Sequence, residues 1–117
     1  MAMPALVPDA ALGEAVCAAL RGQAAKLGLS IGDEPVWAEA AFEDRIDPFS
    51  LEISRIGTWR GQQRYGTVTL FPDGQIFAEY QVLLPHPGKA DRYVESVQVW
   101  GRPEKLRGDA VIADYPK

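Results

Sequence analysis

Cysteine and histidine are nearly missing from this chain, which carries one of each, Cys17 and His86. A single cysteine excludes an internal disulfide and suits a reducing compartment, so the cytoplasm is the expected location. One cysteine and one histidine are also too few for the usual zinc sites, and no metal or other cofactor is expected. Long apolar runs are absent. None approaches the roughly 18 residues of a membrane-spanning helix, and residues 1–9 lack the basic start of a secretory leader. No membrane association is expected. Nor is there a phosphate-cradling glycine loop, a G-x-G-x-x-G fingerprint or a G-x-S-x-G elbow. Positive charge is in deficit, with 12 Lys and Arg against 16 Asp and Glu and a net charge of −4. That balance weighs against a general nucleic-acid binder.

What is present is the composition of an ordinary folded domain. Of 117 residues, 47% are hydrophobic and 24% charged, close to the average for globular chains and enough for a real core. No repeat, low-complexity tract or linker divides the chain, so residues 1–117 read as a single domain.

The first element is a helix. Leu12, Val16, Leu20, Ala24 and Leu27 recur at helical spacing as one apolar stripe. Asp9 is placed to cap its free N–H groups, and Lys26 complements the dipole in the last turn. Gly28 suits the left-handed position that closes such a helix, with Leu29 folding back behind it. Gly13 and Gly22 each cost a helix about 1 kcal/mol relative to alanine. Both therefore suggest close approach to another element.

Residues 33–47 fit two descriptions. Val36, Ala38, Ala40 and Phe42 alternate as a strand does, whereas the acids before Pro35 and the run after it resemble a helix start. The reading leans to a short helix. From residue 49 the pattern is β. Phe49, Leu51 and Ile53 alternate with polar neighbours as a half-buried strand, and residues 57–61 read as a turn.

The sharpest local signal is Phe71-Pro72-Asp73-Gly74-Gln75 between two β-rich runs. Proline presets the first turn angle and glycine takes the left-handed residue. That turn pairs Leu70 with Ile76, Val68 with Ala78 and Gly66 with Tyr80, which puts the apolar members on one face. It also lets the Tyr80 ring cover the bare backbone at Gly66. Residues 85–88 end the second strand through two prolines. A further strand covers 93–100 and is broken by Gly101 and Pro103, and residues 110–115 read as a short last one. The fold class is α+β, an N-terminal helix packed on one face of a four- to five-stranded antiparallel sheet. The stripe Leu12, Val16, Leu20 and Leu27 is expected to meet the face bearing Val68, Leu70, Ile76 and Ala78.

Few residues point to chemistry. If Val97 and Val99 face inward, alternation sends Glu95 inward too, near Tyr80 and Tyr93, where a buried carboxylate marks a site. The competing description has Glu95 near a strand end, reaching solvent. His86, between two prolines, is either an acid–base group or an exposed loop residue. Cys17 reads as a small buried hydrophobe, since only Arg21 is near enough to activate it. Residues 33–52 carry seven acids against Arg45, a local net of −6, while Arg55, Arg60 and Arg64 follow. Such runs are usually solvated faces. Residues 58–65 interleave Trp59 and Tyr65 with arginines, as single-strand binders do.

Two functions remain in view. The first is a non-catalytic protein-interaction module of inhibitor, immunity or adaptor type, with a protein partner or self-association. Trp100, on the face opposite Val97 and Val99, and Trp59 are its candidate anchors. The segment 33–47 competes with a partner as cover for Trp100. The second is a small-molecule or enzymatic pocket between helix and sheet that uses Glu95 with Tyr80 and Tyr93.

Overall fold

In the computed structural model, which describes residues 7–60 and 64–114, the first element is helix α1 (Ala10–Lys26). Its ends form as the side chains dictate. The Leu12 N–H donates to Asp9 Oδ1 at 2.9 Å. At the other end Gly28 has φ +79°, its N–H reaches the Ala25 carbonyl, and the Leu29 N–H reaches that of Ala24. This paired closure ends a helix on a left-handed residue.

Six strands follow: β1 (Ala41–Ile46), β2 (Ile53–Arg60), β3 (Tyr65–Leu70), β4 (Ile76–Pro85), β5 (Arg92–Arg102) and β6 (Lys105–Asp114). Each pairs antiparallel with the next in chain order, a six-stranded meander. The expected architecture is present with more strands than the four to five anticipated. The β3–β4 hairpin has the register its turn demands: Gly66 opposite Tyr80, Val68 opposite Ala78 and Leu70 opposite Ile76. Gly74 takes φ +88°.

The extra strand comes from the ambiguous segment. Residues 33–47 are neither one helix nor one strand. A single 3-10 turn, Trp37–Glu39, precedes β1. Of the half-buried strand expected from Phe49 to Ser54, only Ile53 and Ser54 are strand, at the start of β2, and residues 49–52 are loop. The Asp47 carboxylate accepts from the Phe49 N–H at 2.8 Å and the Ser50 N–H at 2.9 Å, so a side-chain turn captures the chain before β2 begins. The turn expected at 57–61 is strand up to Arg60, and Gly57 lies there under the Phe42 ring. Gly61 falls outside the described residues. Gly101 does not break β5 but sits within it at φ +122°, and the reversal falls at residues 103–104. The last strand starts at Lys105 rather than residue 110; Tyr115 lies outside the described residues.

Leu12, Val16 and Leu20 are buried in one cluster with Val68, Leu70, Ile76, Ala78, Val97 and Val99. The helix lies over β4, β5 and β6. The remainder of that face is covered by an aromatic row, which meets the helix only through Trp37. Trp37 packs 5.2 Å from Phe42 and 5.5 Å from Trp59, and Trp59 lies 6.3 Å from Tyr80. Gly13 lets the Trp37 ring approach the helix backbone directly, whereas a Cβ at Gly22 would meet nothing. Only the first of the two helix glycines is there for packing.

Candidate functional site

Glu95 does not point into the core. Val82 and Leu83 of β4 lie opposite it as two residues against one, and β6 has no residue opposite it between Val111 and Ile112. These paired bulges reset the alternation, so Val94, Ser96 and Val97 are all buried while Glu95 is exposed. A bulge re-aims side chains in this way, and period 2 cannot foresee it. Glu95 lines neither the cavity beside Tyr80 nor the groove along α1. Tyr93 stands opposite Pro85 and Ala113, away from Tyr80. His86 is half-buried in the β4–β5 loop, where its Nδ1 accepts from the Gly88 N–H at 3.0 Å, which gives it a loop-shaping contact.

Trp100 is on the sheet face opposite the helix, as alternation requires, and is 37% exposed. It stands opposite Phe77 on one side and Arg107 on the other. Residues 33–47 do not cover it. Trp37 packs on the helix side, and β1 lies at the far edge of the sheet. Trp59 is buried in the aromatic row and is not a stacking platform for bases. Of residues 58–65, positions 61–63 lie outside the described residues. Cys17 is buried, and burial pushes its thiol above the ordinary value, with Arg21 opposing in part.

The sequence groups Tyr80 with Glu95 and Tyr93, but the structure groups it with Trp59. The Trp59 indole N–H and the Tyr80 hydroxyl are both buried without a hydrogen-bond partner among the described residues. Burial, then the nearby Glu34 charge, pushes the Tyr80 hydroxyl well above its ordinary range. Glu34 acts on that hydroxyl through its charge and as a nearby acceptor, at a separation too long for a formed hydrogen bond, while its short bond goes to Arg64 at 2.8 Å.

The most conspicuous surface was read in sequence as strand interior. At the β1–β2 hairpin, Phe49 is 95% and Leu51 72% exposed, and Ile46 and Ile53 stand opposite each other just below them, both exposed. The loop is closed by its own bonds. Besides the two Asp47 side-chain contacts, the Leu51 N–H donates to the Asp47 carbonyl and the Asp47 N–H to that of Glu52, each at 2.9 Å. The Ser50 Oγ accepts from the Glu52 N–H at 3.2 Å. These contacts hold Leu51 at φ +60°, a backbone setting β-rich hydrophobes seldom adopt. The bonds to Asp47 also lower its carboxyl pKa, chiefly the one from Ser50 and then that from Phe49.

Acids surround this apolar tip. Glu43, Asp44, Asp47 and Glu52 flank it, against Arg45 in the strand. The basic run that follows in sequence folds back on the acidic one: Arg55 pairs with Asp44 at 3.2 Å and Arg64 with Glu34 at 2.8 Å. At the hairpin the acidic excess therefore resides in Glu43, Asp47 and Glu52. Asp47-Pro48 was the available signal, because such a dipeptide initiates turns.

Among the described residues no three His, Cys, Asp or Glu converge as a metal requires, and no helix is long and apolar enough to cross a membrane. Compared with known protein families, characterised proteins and solved structures, the chain matches none.

Proposed function

We propose that this protein is a non-catalytic binding module that docks on another protein through the β1–β2 hairpin tip. The observation that carries this reading is Phe49, nearly wholly exposed on a loop closed by five hydrogen bonds. A large apolar side chain presented on an ordered loop pays little entropy on binding. Aromatic anchors of this kind supply most of the energy in an interface. The acids beside it choose the partner, which is an apolar pocket rimmed by lysine or arginine. Anionic bilayers attract basic flanks and repel acidic ones, so a membrane surface fits this tip poorly. Trp100 and Phe77, on the outer sheet face, offer a second contact area several strands away.

The test compares the wild-type chain with Phe49→Ser as immobilised baits in lysate of the native host, at low and raised salt. The reading expects one protein bound by wild type, lost from Phe49→Ser, and weakened by salt. The purified pair should then show at least about a tenfold loss of affinity on Phe49→Ser. Retention that is the same for both baits would overturn it. Light scattering that finds a dimer dissociated by Phe49→Ser would replace the foreign partner with a second copy.

A further inference from the structure

A cavity of about 430 Å³ opens on the helix side of the sheet, between the chain that leads into β1 and the aromatic row. This is the size at which small-molecule sites begin, and it lies apart from the hairpin tip. Its walls are of three kinds. Ile31 and Val36 are apolar, Trp59 and Tyr80 form an aromatic end, and Asp33, Glu34 and Glu39 bring carboxylates.

The cations in the wall are already committed. Arg64 donates to Glu34 at 2.8 Å and to the Val82 carbonyl at 3.1 Å. Arg60 lies 5.3 Å over the Tyr65 ring and donates to its hydroxyl. Among the described residues the carboxylates of Asp33 and Glu39, both exposed, make no hydrogen bond or ion pair, and Arg21 reaches Asp33 only at its carbonyl, at 3.5 Å. Three carboxylates against two guanidiniums leave the wall with a net negative charge. At the aromatic end the need is the reverse. Trp59 and Tyr80 are 1% and 0% exposed, and their indole N–H and hydroxyl have no partner. An indole N–H only donates, so it requires an acceptor. Buried polar groups are nearly always bonded, to protein, to ordered water or to a ligand.

We propose that this cavity binds a small organic ammonium compound with a carbonyl or hydroxyl oxygen close to the nitrogen and an apolar body. Asp33 and Glu39 hold the ammonium, Ile31 and Val36 take the apolar part, and the oxygen accepts from Trp59 Nε1 and the Tyr80 hydroxyl. An anion is disfavoured at that end, because Glu34 and Glu39 already raise the cost of negative charge on Tyr80. The two donors lie behind the cavity surface. The oxygen reaches them only if the Glu34–Arg64 pair, with side chains 21% and 19% exposed, gives way.

The probe is L-leucinamide, read by the Trp59 indole N–H resonance in two-dimensional NMR, with Trp37→Phe and Trp100→Phe assigning the three indole signals. Matched controls each lack one feature: isoamylamine has no oxygen, 4-methylpentanamide no ammonium, and leucine adds a carboxylate. Leucinamide is expected to shift the Trp59 signal saturably, with a dissociation constant on the order of 1 mM. Each control should bind at least about tenfold more weakly. Asp33→Asn with Glu39→Gln, both at exposed positions, should weaken leucinamide by a similar factor. Tyr80→Phe should weaken it while leaving the ring packing in place. Saturation absent up to about 20 mM, some twenty times that dissociation constant, would overturn the proposal, as would equal binding of 4-methylpentanamide. If Tyr80→Phe fails to fold, the two carboxylate variants decide the matter, and unchanged affinity in them sinks it.

Discussion

The Tyr80 ring lies against Gly66, its direct cross-strand partner. A Cβ at position 66 would run into that ring and stand 2.9 Å from both the Glu79 carbonyl and the Trp59 ring. Two of those neighbours are buried and one is backbone, so none gives way freely. Gly66→Ala is expected to lower stability by about 1–3 kcal/mol, the usual penalty for overfilling a packed core. Urea unfolding reads this as a lower midpoint at unchanged slope. An unchanged midpoint would mean that the aromatic row is looser than its geometry.

The two helix glycines should respond in opposite directions. Alanine is preferred over glycine within a helix by about 1 kcal/mol, and at Gly22 nothing stands in the way. Gly22→Ala should therefore stabilise by up to that amount. At Gly13 the new Cβ would fall inside the Trp37 ring, so Gly13→Ala should destabilise despite the same propensity gain. Thermal melts of the two variants side by side suffice. The same sign for both would remove the argument.

Leu20 and Phe49 are both large and apolar but belong to different tasks. Leu20 is fully buried, and Leu20→Ala should cost about 2–5 kcal/mol. Phe49→Ser should change stability by less than about 0.5 kcal/mol, because the side chain touches almost nothing in the isolated chain. A large loss at Phe49 would show the tip to be structural, and would undercut its reading as a binding surface.

Tyr80 gives stability an alkaline limit. Its hydroxyl ionises above the ordinary value in the folded chain, so its contribution is intact below the unfolded value near 10. As pH rises past about 10 the unfolded chain releases the proton first, and stability falls. Tyr80→Phe should remove this portion of the alkaline loss. At neutral pH it should match or exceed wild-type stability, since it deletes a buried group with no partner. Chemical denaturation at pH 7 and pH 11 tests both halves. A clear loss at neutral pH would mean that the hydroxyl is bonded after all.

Asp47 sets an acid limit on the hairpin tip. Its carboxyl lies below the usual 3.8 in the folded chain, so its hold on the loop is complete above that value. The hold is lost as pH falls through the lowered folded value. NMR should show the Phe49 and Ser50 amide shifts titrating together with a midpoint below 3.8. Asp47→Ala should abolish that titration and broaden the loop signals. A midpoint at or above 3.8 would argue against the two hydrogen bonds.

The sequence by itself determined what rests on local chemistry. Asp9, Gly28 and Leu29 set the ends of α1 because caps involve neighbours within a turn. Phe71-Pro72-Asp73-Gly74-Gln75 set a hairpin register, and with it the placing of Tyr80 over Gly66, because turn geometry propagates along a ladder in steps of two. Only the tertiary structure decided what depends on counting errors in that ladder or on distant cover. The paired bulges at Leu83 and Glu95 turned a supposed core carboxylate outward, since one extra residue reverses every alternation beyond it. Phe49, Leu51 and Ile53 alternate like strand residues, yet none of the described elements packs over that end of the meander. The union of Trp59 and Tyr80 at one cavity joined residues from β2 and β4 beneath the chain leading into β1. No periodicity records such a meeting, because it arises from how the segment between helix and sheet crosses the face that α1 leaves open.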